Sequence, residues 1–112
     1  MYRHIPAGEL EPSPGGTIVF EGGGYGSDVS IYLVDNEPGA GPDLHRHPYS
    51  ETWIVRAGLA RITADGTTFE ARPGDIVVVE PNVPHLFKNA GTERLEITCI
   101  HASPIFVQEE LS

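Results

Sequence analysis

Four residues of this 112-residue chain have the types and spacing to hold a metal ion: His45, His47, Glu51 and His85. His45 and His47 are separated by one residue, so on an extended segment both rings leave the same face with Cα atoms roughly 6.6 Å apart. Two imidazoles so placed can chelate one ion. Glu51 keeps that parity, yet on a straight strand it would lie roughly 13 Å beyond His47, too far to share a metal whose bonds run about 2.0 to 2.2 Å. The chain must therefore bend between them, and Pro48, which cannot donate to a strand ladder, marks the place. His85 has to arrive on another strand as the fourth ligand. Three neutral imidazoles and a carboxylate suit one divalent transition metal per chain, Mn, Fe, Ni, Cu or Zn, with one or two positions left for water or an oxygen ligand.

The elements that must position these side chains are strands. Gly and Pro fill about a fifth of the positions, and the segments between them are short and rich in β-branched residues, which predicts strands over 17–21, 28–35, 50–56, 59–64, 67–71, 75–80, 85–88 and 94–101. No long helix is expected. Spacing this even predicts an all-β sandwich or barrel. Residues 1–16 and 22–26 have no periodicity and read as loops. Asp65-Gly66 supplies the two positive φ angles of a tight hairpin turn, which pairs Ala64 with Thr67, Ile62 with Phe69, Thr63 with Thr68 and Arg61 with Glu70. Arg61 is thereby assigned to a surface ion pair rather than to a substrate carboxylate.

The wider spacing carries a family resemblance. Gly39, five residues, His45, one, His47, three, Glu51, six, Gly58 matches at every specified position the first motif of the cupins, and Gly74, His85 and Asn89 keep their places in the second. The chain resembles a small single-domain metal-binding cupin over Gly39 to Asn89. Glu80 stands where that family usually has Pro, and Asn82 where it has Gly; Asn tolerates the left-handed conformation next best after Gly, so the turn at Pro81-Asn82 stays feasible. The resemblance implies an antiparallel jelly-roll β-barrel with the metal inside one mouth. A length of 112 residues is one domain's worth of chain, so one domain is expected over 1–112, with a core of roughly 17–102, an irregular segment 1–16 and a short C-terminal arm 103–112.

Other side chains fill in the expected site. Trp53 and Val55 share the parity of Glu51, and Phe87 that of His85, so the three are expected to wall the pocket. His101 shares the parity of Leu95, Ile97 and Cys99, an apolar stripe that turns inward, and it is a candidate proton donor together with Tyr49 and Tyr32. Cys99, the single cysteine, has no disulfide or CxxC partner and reads as a small buried hydrophobe.

Composition limits the function classes. With 16 acidic against 7 basic residues the formal net charge is −9, which repels a phosphate backbone and argues against nucleic acid. No apolar run approaches a membrane span, and the N-terminal residues lack the apolar core of a signal peptide, which points to the cytoplasm. Exposed strand edges and the apolar run Pro104-Ile105-Phe106-Val107 favour a homodimer. Cupins include dioxygenases, isomerases, decarboxylases, lyases and storage proteins, so the resemblance leaves the reaction open. Two readings follow: a metal-dependent enzyme on a small oxygen-rich or aromatic metabolite, by dioxygenase-like or Lewis-acid chemistry, or a non-catalytic module holding a metal and a small anion. A metal-free cupin resembling sugar epimerases is disfavoured, because all four ligand types are present.

Overall fold

The structure is a computed structural model describing residues 1–112. Ten strands carry the fold: β1 (Ile18–Phe20), β2 (Ser30–Asn36), β3 (His45–Arg46), β4 (Glu51–Ala57), β5 (Ala60–Ala64), β6 (Thr67–Ala71), β7 (Ile76–Val79), β8 (His85–Asn89), β9 (Leu95–His101) and β10 (Glu109–Glu110). They form two five-stranded antiparallel sheets, in the orders β1-β2-β9-β4-β7 and β10-β3-β8-β5-β6. This is the expected all-β jelly roll, an open-edged form of the barrel. No helix is long and apolar enough to cross a membrane.

Alternation builds the core. In β4, Glu51, Trp53 and Val55 are buried; in β9, Leu95, Ile97, Cys99 and His101 are buried. Trp53, Val55, Ile62 and Leu95 are sealed from solvent between the sheets, and each such aliphatic or aromatic side chain contributes about 1.5 to 3 kcal/mol. Between Val55 and Ala57 the β4–β9 register shifts by a bulge. Gly58 follows with φ +85°, and a side chain there would meet the Arg94 carbonyl oxygen at 2.5 Å, so this motif glycine serves a close backbone approach.

The hairpin forms in the expected register, from Ala60↔Ala71 to Ala64↔Thr67. Asp65 and Gly66 both take positive φ, and Arg61 sits 3.8 Å from Glu70 on the surface. Three segments differ from expectation. Gly22–Tyr25 forms a 3-10 helix rather than a loop. His45–Arg46 is a two-residue strand, and the C-terminal arm folds back to supply its partner: Glu109 pairs with Arg46 and Glu110 with His45. Phe106 then stacks on Tyr32 with centroids 4.6 Å apart, so the apolar run 104–107 is partly covered, with Ile105 and Val107 still exposed.

Two turn residues anchor β8. Asn89 is buried, donates from its amide to the carbonyls of Asn36 (3.0 Å) and Glu93 (2.8 Å), and accepts from Gly91 N–H (2.9 Å). Asn82 takes φ +65° and its N–H donates to the His47 carbonyl at 2.7 Å. Because Asn82 is exposed and needs only its backbone shape, Asn82→Gly is expected to change stability by less than about 0.5 kcal/mol. Asn82→Ala should destabilise by about 1 kcal/mol through the left-handed penalty, as urea denaturation would show.

Candidate metal centre

The bend required after His47 takes the chain from one sheet to the other. β3 presents His45 beside His85 of β8 in one sheet, and β4 presents Glu51 beside His101 of β9 in the facing sheet. His47 lies in the crossing segment. The ligand nitrogens and carboxylate oxygens of His45, His47, Glu51 and His85 all lie within 4.8 Å of one another, and all four residues are buried. These four residues could hold a metal ion.

Hydrogen bonds fix the tautomers and show why the cluster suits a cation. The Nδ1 atoms of His45, His47 and His85 lie 2.7, 2.9 and 2.9 Å from the carbonyls of Asp43, Val107 and Val83. A carbonyl only accepts, so each Nδ1 carries the proton and each Nε2 a lone pair. The Nε2 atoms of His47 and His85 each stand 3.2 Å from Glu51 Oε1, acceptor facing acceptor. None of these three atoms has a hydrogen-bond partner. Buried lone pairs aimed at one point repel unless a cation sits among them.

Burial pushes the Glu51 carboxyl up, but the imidazoles of His101, His47 and His85 more than reverse this and hold it well below the usual carboxylate range. Burial lowers His45, which keeps it neutral and able to ligate. Burial is the largest effect on His47 and lowers it, but the Glu51 carboxylate and the Val107 carbonyl together raise it by more.

His101 is set apart from the other three histidines. Its Nδ1 lies 3.2 Å from the Tyr49 hydroxyl, whose oxygen accepts the Val107 N–H at 3.2 Å. The hydroxyl can donate its own proton to His101 Nδ1, and in that arrangement the neutral His101 proton sits on Nε2, 3.2 Å from Glu51 Oε2. That same oxygen accepts the Trp53 indole N–H at 2.6 Å.

A cavity of about 360 Å³ opens onto His45, Glu51 and His101, with Tyr32, Val34, Pro42 and Phe87 among its walls. Phe87 lines this cavity, whereas Trp53 and Val55 do not. They lie deeper in the core, because the cavity meets β4 only at Glu51, and Trp53 acts on the site by holding the carboxylate. Tyr49 reaches the centre through His101 and by stacking on His47, centroids 5.0 Å apart. Cys99 is buried, and burial followed by the Glu51 charge raises its thiol. Sequence reading missed Val107, Gln108, Asn36 and Thr17. Val107 acts through a backbone carbonyl, which leaves no side-chain signal; the other three line the cavity and sit outside both motifs.

Comparison with known proteins places this geometry. The cupin domain family profile matches residues 32–101. The chain is 33% identical over 74 residues to polyketide synthase CurC of Streptomyces cyaneus, covering 65% of this chain and 47% of that protein. Among solved structures, the formate complex of oxalate decarboxylase from Lactobacillus farciminis superposes with a TM-score of 0.80 at 25% identity, over 92% of this chain and 34% of that one. Bacillus subtilis oxalate decarboxylase, examined for its Mn(II) centers, gives 0.78 at 28% identity over 90% of this chain and 29% of that one. The chain thus spans about half the length of the curated relatives it matches and about a third of the decarboxylases. A profile match over most of the strands, coinciding with both metal-ligand motifs, makes this chain a member of the cupin family.

Proposed function

We propose that this chain is a metal-dependent enzyme that binds one divalent transition metal through His45, His47, Glu51 and His85 and acts on a small oxygen-bearing metabolite held in the adjoining cavity. The observation that carries the proposal is the convergence of partnerless Nε2 and Oε1 atoms on one buried point. The Mn(II) centers of the B. subtilis decarboxylase support manganese as the first ion to try. A bound ion would supply Lewis-acid polarisation of a substrate oxygen or, with a redox-active metal, a route to dioxygen chemistry.

The protein's own part in the reaction is orientation and proton handling. His101 is buried and borders the cavity, and its Nε2 proton is available to a substrate oxygen while Tyr49 backs its Nδ1. Phe87, Val34 and Pro42 exclude water around the ligand. A protonated imidazole nitrogen beside the ligand cluster favours catalysis over binding alone. The test is to load the chain separately with Mn(II), Fe(II), Ni(II) and Zn(II), then follow oxygen uptake and product mass over carboxylates, diketones and catechols. Turnover that is lost in Glu51→Ala supports the enzyme; saturable binding without turnover under every metal leaves the non-catalytic module.

We also infer that the chain is a homodimer, through the outer face of the β1-β2-β9-β4-β7 sheet. The register aligns two rows across all five strands: Phe20, Ile31, Ile100, Thr52, Val78, and Ile18, Leu33, Thr98, Ile54, Ile76. Every member is apolar or threonine, and charge begins only at the next row with Asp35 and Glu96. Leu33, Ile76 and Val78 are 45, 65 and 63% exposed. The face is roughly 20 Å across at about 4.8 Å per strand. A charge-free patch on a chain of net charge −9 lets two copies meet there without like-charge repulsion. Leu33→Lys, at an exposed position outside the core, is expected to turn a sedimenting dimer into a monomer at micromolar concentration, with stability changed by less than about 0.5 kcal/mol.

A further inference from the structure

We infer that the ligand of this centre is an oxygen chelator carrying at most one negative charge, and that small dianions are selected against. The inference rests on the metal-centre reading above and adds the substrate class.

Charge arithmetic inside the cavity carries it. The polar side chains that line it besides the ligands and His101 are Thr17, Tyr32, Asn36 and Gln108, all neutral. Burial holds the Tyr32 hydroxyl above its ordinary range, so it stays a hydrogen-bond donor. Glu51 is the single anion, and no lysine or arginine borders the space.

Five of the seven cations of the chain are engaged elsewhere. Arg46 is bound to Glu109, Arg61 and Arg72 to Glu70, and Arg94 to Asp35. Lys88 donates to the carbonyl of Gly41, a lining residue, at 2.7 Å and pairs with Asp43. Arg3 and Arg56 are exposed. A divalent ion with Glu51 therefore presents one net positive charge. A monoanionic chelator neutralises it, whereas a dianion leaves an uncompensated negative charge in a half-enclosed site with apolar walls, on a chain whose net charge is −9.

The walls fit a ligand of that description. Val34, Pro42 and Phe87 offer apolar contact, while the Thr17 and Tyr32 hydroxyls and the Asn36 and Gln108 amides offer hydrogen bonds to neutral oxygens. These are the groups that read a carbonyl or hydroxyl substituent, and none of them can clamp a free carboxylate as a guanidinium does. A 1,3-dicarbonyl or 2-hydroxy-carbonyl compound of fewer than about ten heavy atoms fits a cavity of about 360 Å³.

The test measures binding to the Mn(II)-loaded chain by calorimetry and by the fluorescence of Trp53, the only tryptophan, whose indole contacts Glu51. Two size-matched pairs serve as probes: glycolate against oxalate, and acetylacetone against malonate, each affinity divided by that of the same compound for Mn(II) free in water. The expected result is that each dianion falls at least tenfold below its partner on this scale. Gln108→Lys, a change at an exposed side chain, should raise each dianion at least tenfold relative to its partner of lower charge. Dianions that equal or exceed their partners in the wild-type chain overturn the inference while the metal reading stands. A chain that takes up no Mn(II) or other divalent metal overturns both.

Discussion

Gln at His47 or at His85 is expected to cut metal affinity by at least about a hundredfold, so that a chain carrying one ion emerges from gel filtration nearly empty. Each substitution removes one lone-pair nitrogen while roughly preserving side-chain volume. The remaining ligands then share an ion with one more water, and the carboxylate of Glu51 loses a neighbour it faces at 3.2 Å. Ala at the same positions should empty the site as well. His85→Ala would also open a hole against Trp53, whose ring centroid lies 5.4 Å away, at a cost of about 2 to 4 kcal/mol. The two sheets should survive, because the eleven buried apolar residues of the core include no ligand. Thermal unfolding supplies the second readout. An ion that binds only the folded chain stabilises it by about 4 kcal/mol at a thousandfold excess over Kd, so Mn(II) should raise the wild-type Tm by several degrees and leave the His47→Gln and His85→Gln midpoints unmoved. Full metal occupancy in a His45→Ala, His85→Ala double variant would refute the ligand assignment.

Local chemistry was legible in the sequence, and long-range register was not. Asp65-Gly66 determined the β5–β6 pairing down to single residues, because a two-residue turn leaves one register open. Alternation likewise turned His101 inward with Leu95, Ile97 and Cys99. What alternation cannot say is what stands opposite: His101 meets Glu51 because β9 pairs with β4 forty-odd residues away in sequence. Trp53 illustrates the same limit, since parity correctly buried it but could not tell a cavity wall from the core beneath it. The shortest strands were the least visible. His45–Arg46 has no β-branched residue, and its pairing with Glu109–Glu110 depends on a contact between distant parts of the chain. The family motif supplied the four candidate ligand positions that spacing alone left incomplete, as Glu51 would have been out of reach on a straight strand. Asn82 reached the left-handed conformation that glycine usually supplies in the family, so that departure left the turn intact.

Removing the C-terminal strap is the change expected to act on the centre without touching a ligand side chain. The segment after Ala102 crosses the site: Val107 supplies the carbonyl that orients His47 (2.9 Å) and the N–H that Tyr49 accepts (3.2 Å). Phe106 covers Tyr32 and meets His101 with centroids 5.0 Å apart. Further along, Glu110 pairs with His45, Leu111 N–H donates to the Leu44 carbonyl at 2.9 Å, and Glu109 binds Arg46 through both carboxylate oxygens. A chain ended at Ala102 thus frees the His47 ring to rotate and to exchange tautomers, and leaves β3 with one neighbour. Losing the partner that orients a ligating histidine weakens a metal site by about 10- to 100-fold, and that is the expected fall in affinity. A chain ended at Gln108 keeps the Val107 carbonyl and loses β10, so its affinity should fall by less than about fivefold, since an exposed ion pair and a two-residue ladder are worth about 1 kcal/mol together. Competition with a metal-binding dye measures all three chains, and far-ultraviolet circular dichroism confirms that the sheets persist. Wild-type affinity in the chain ended at Ala102 would show that His47 is oriented by its own segment and that the strap only covers the site.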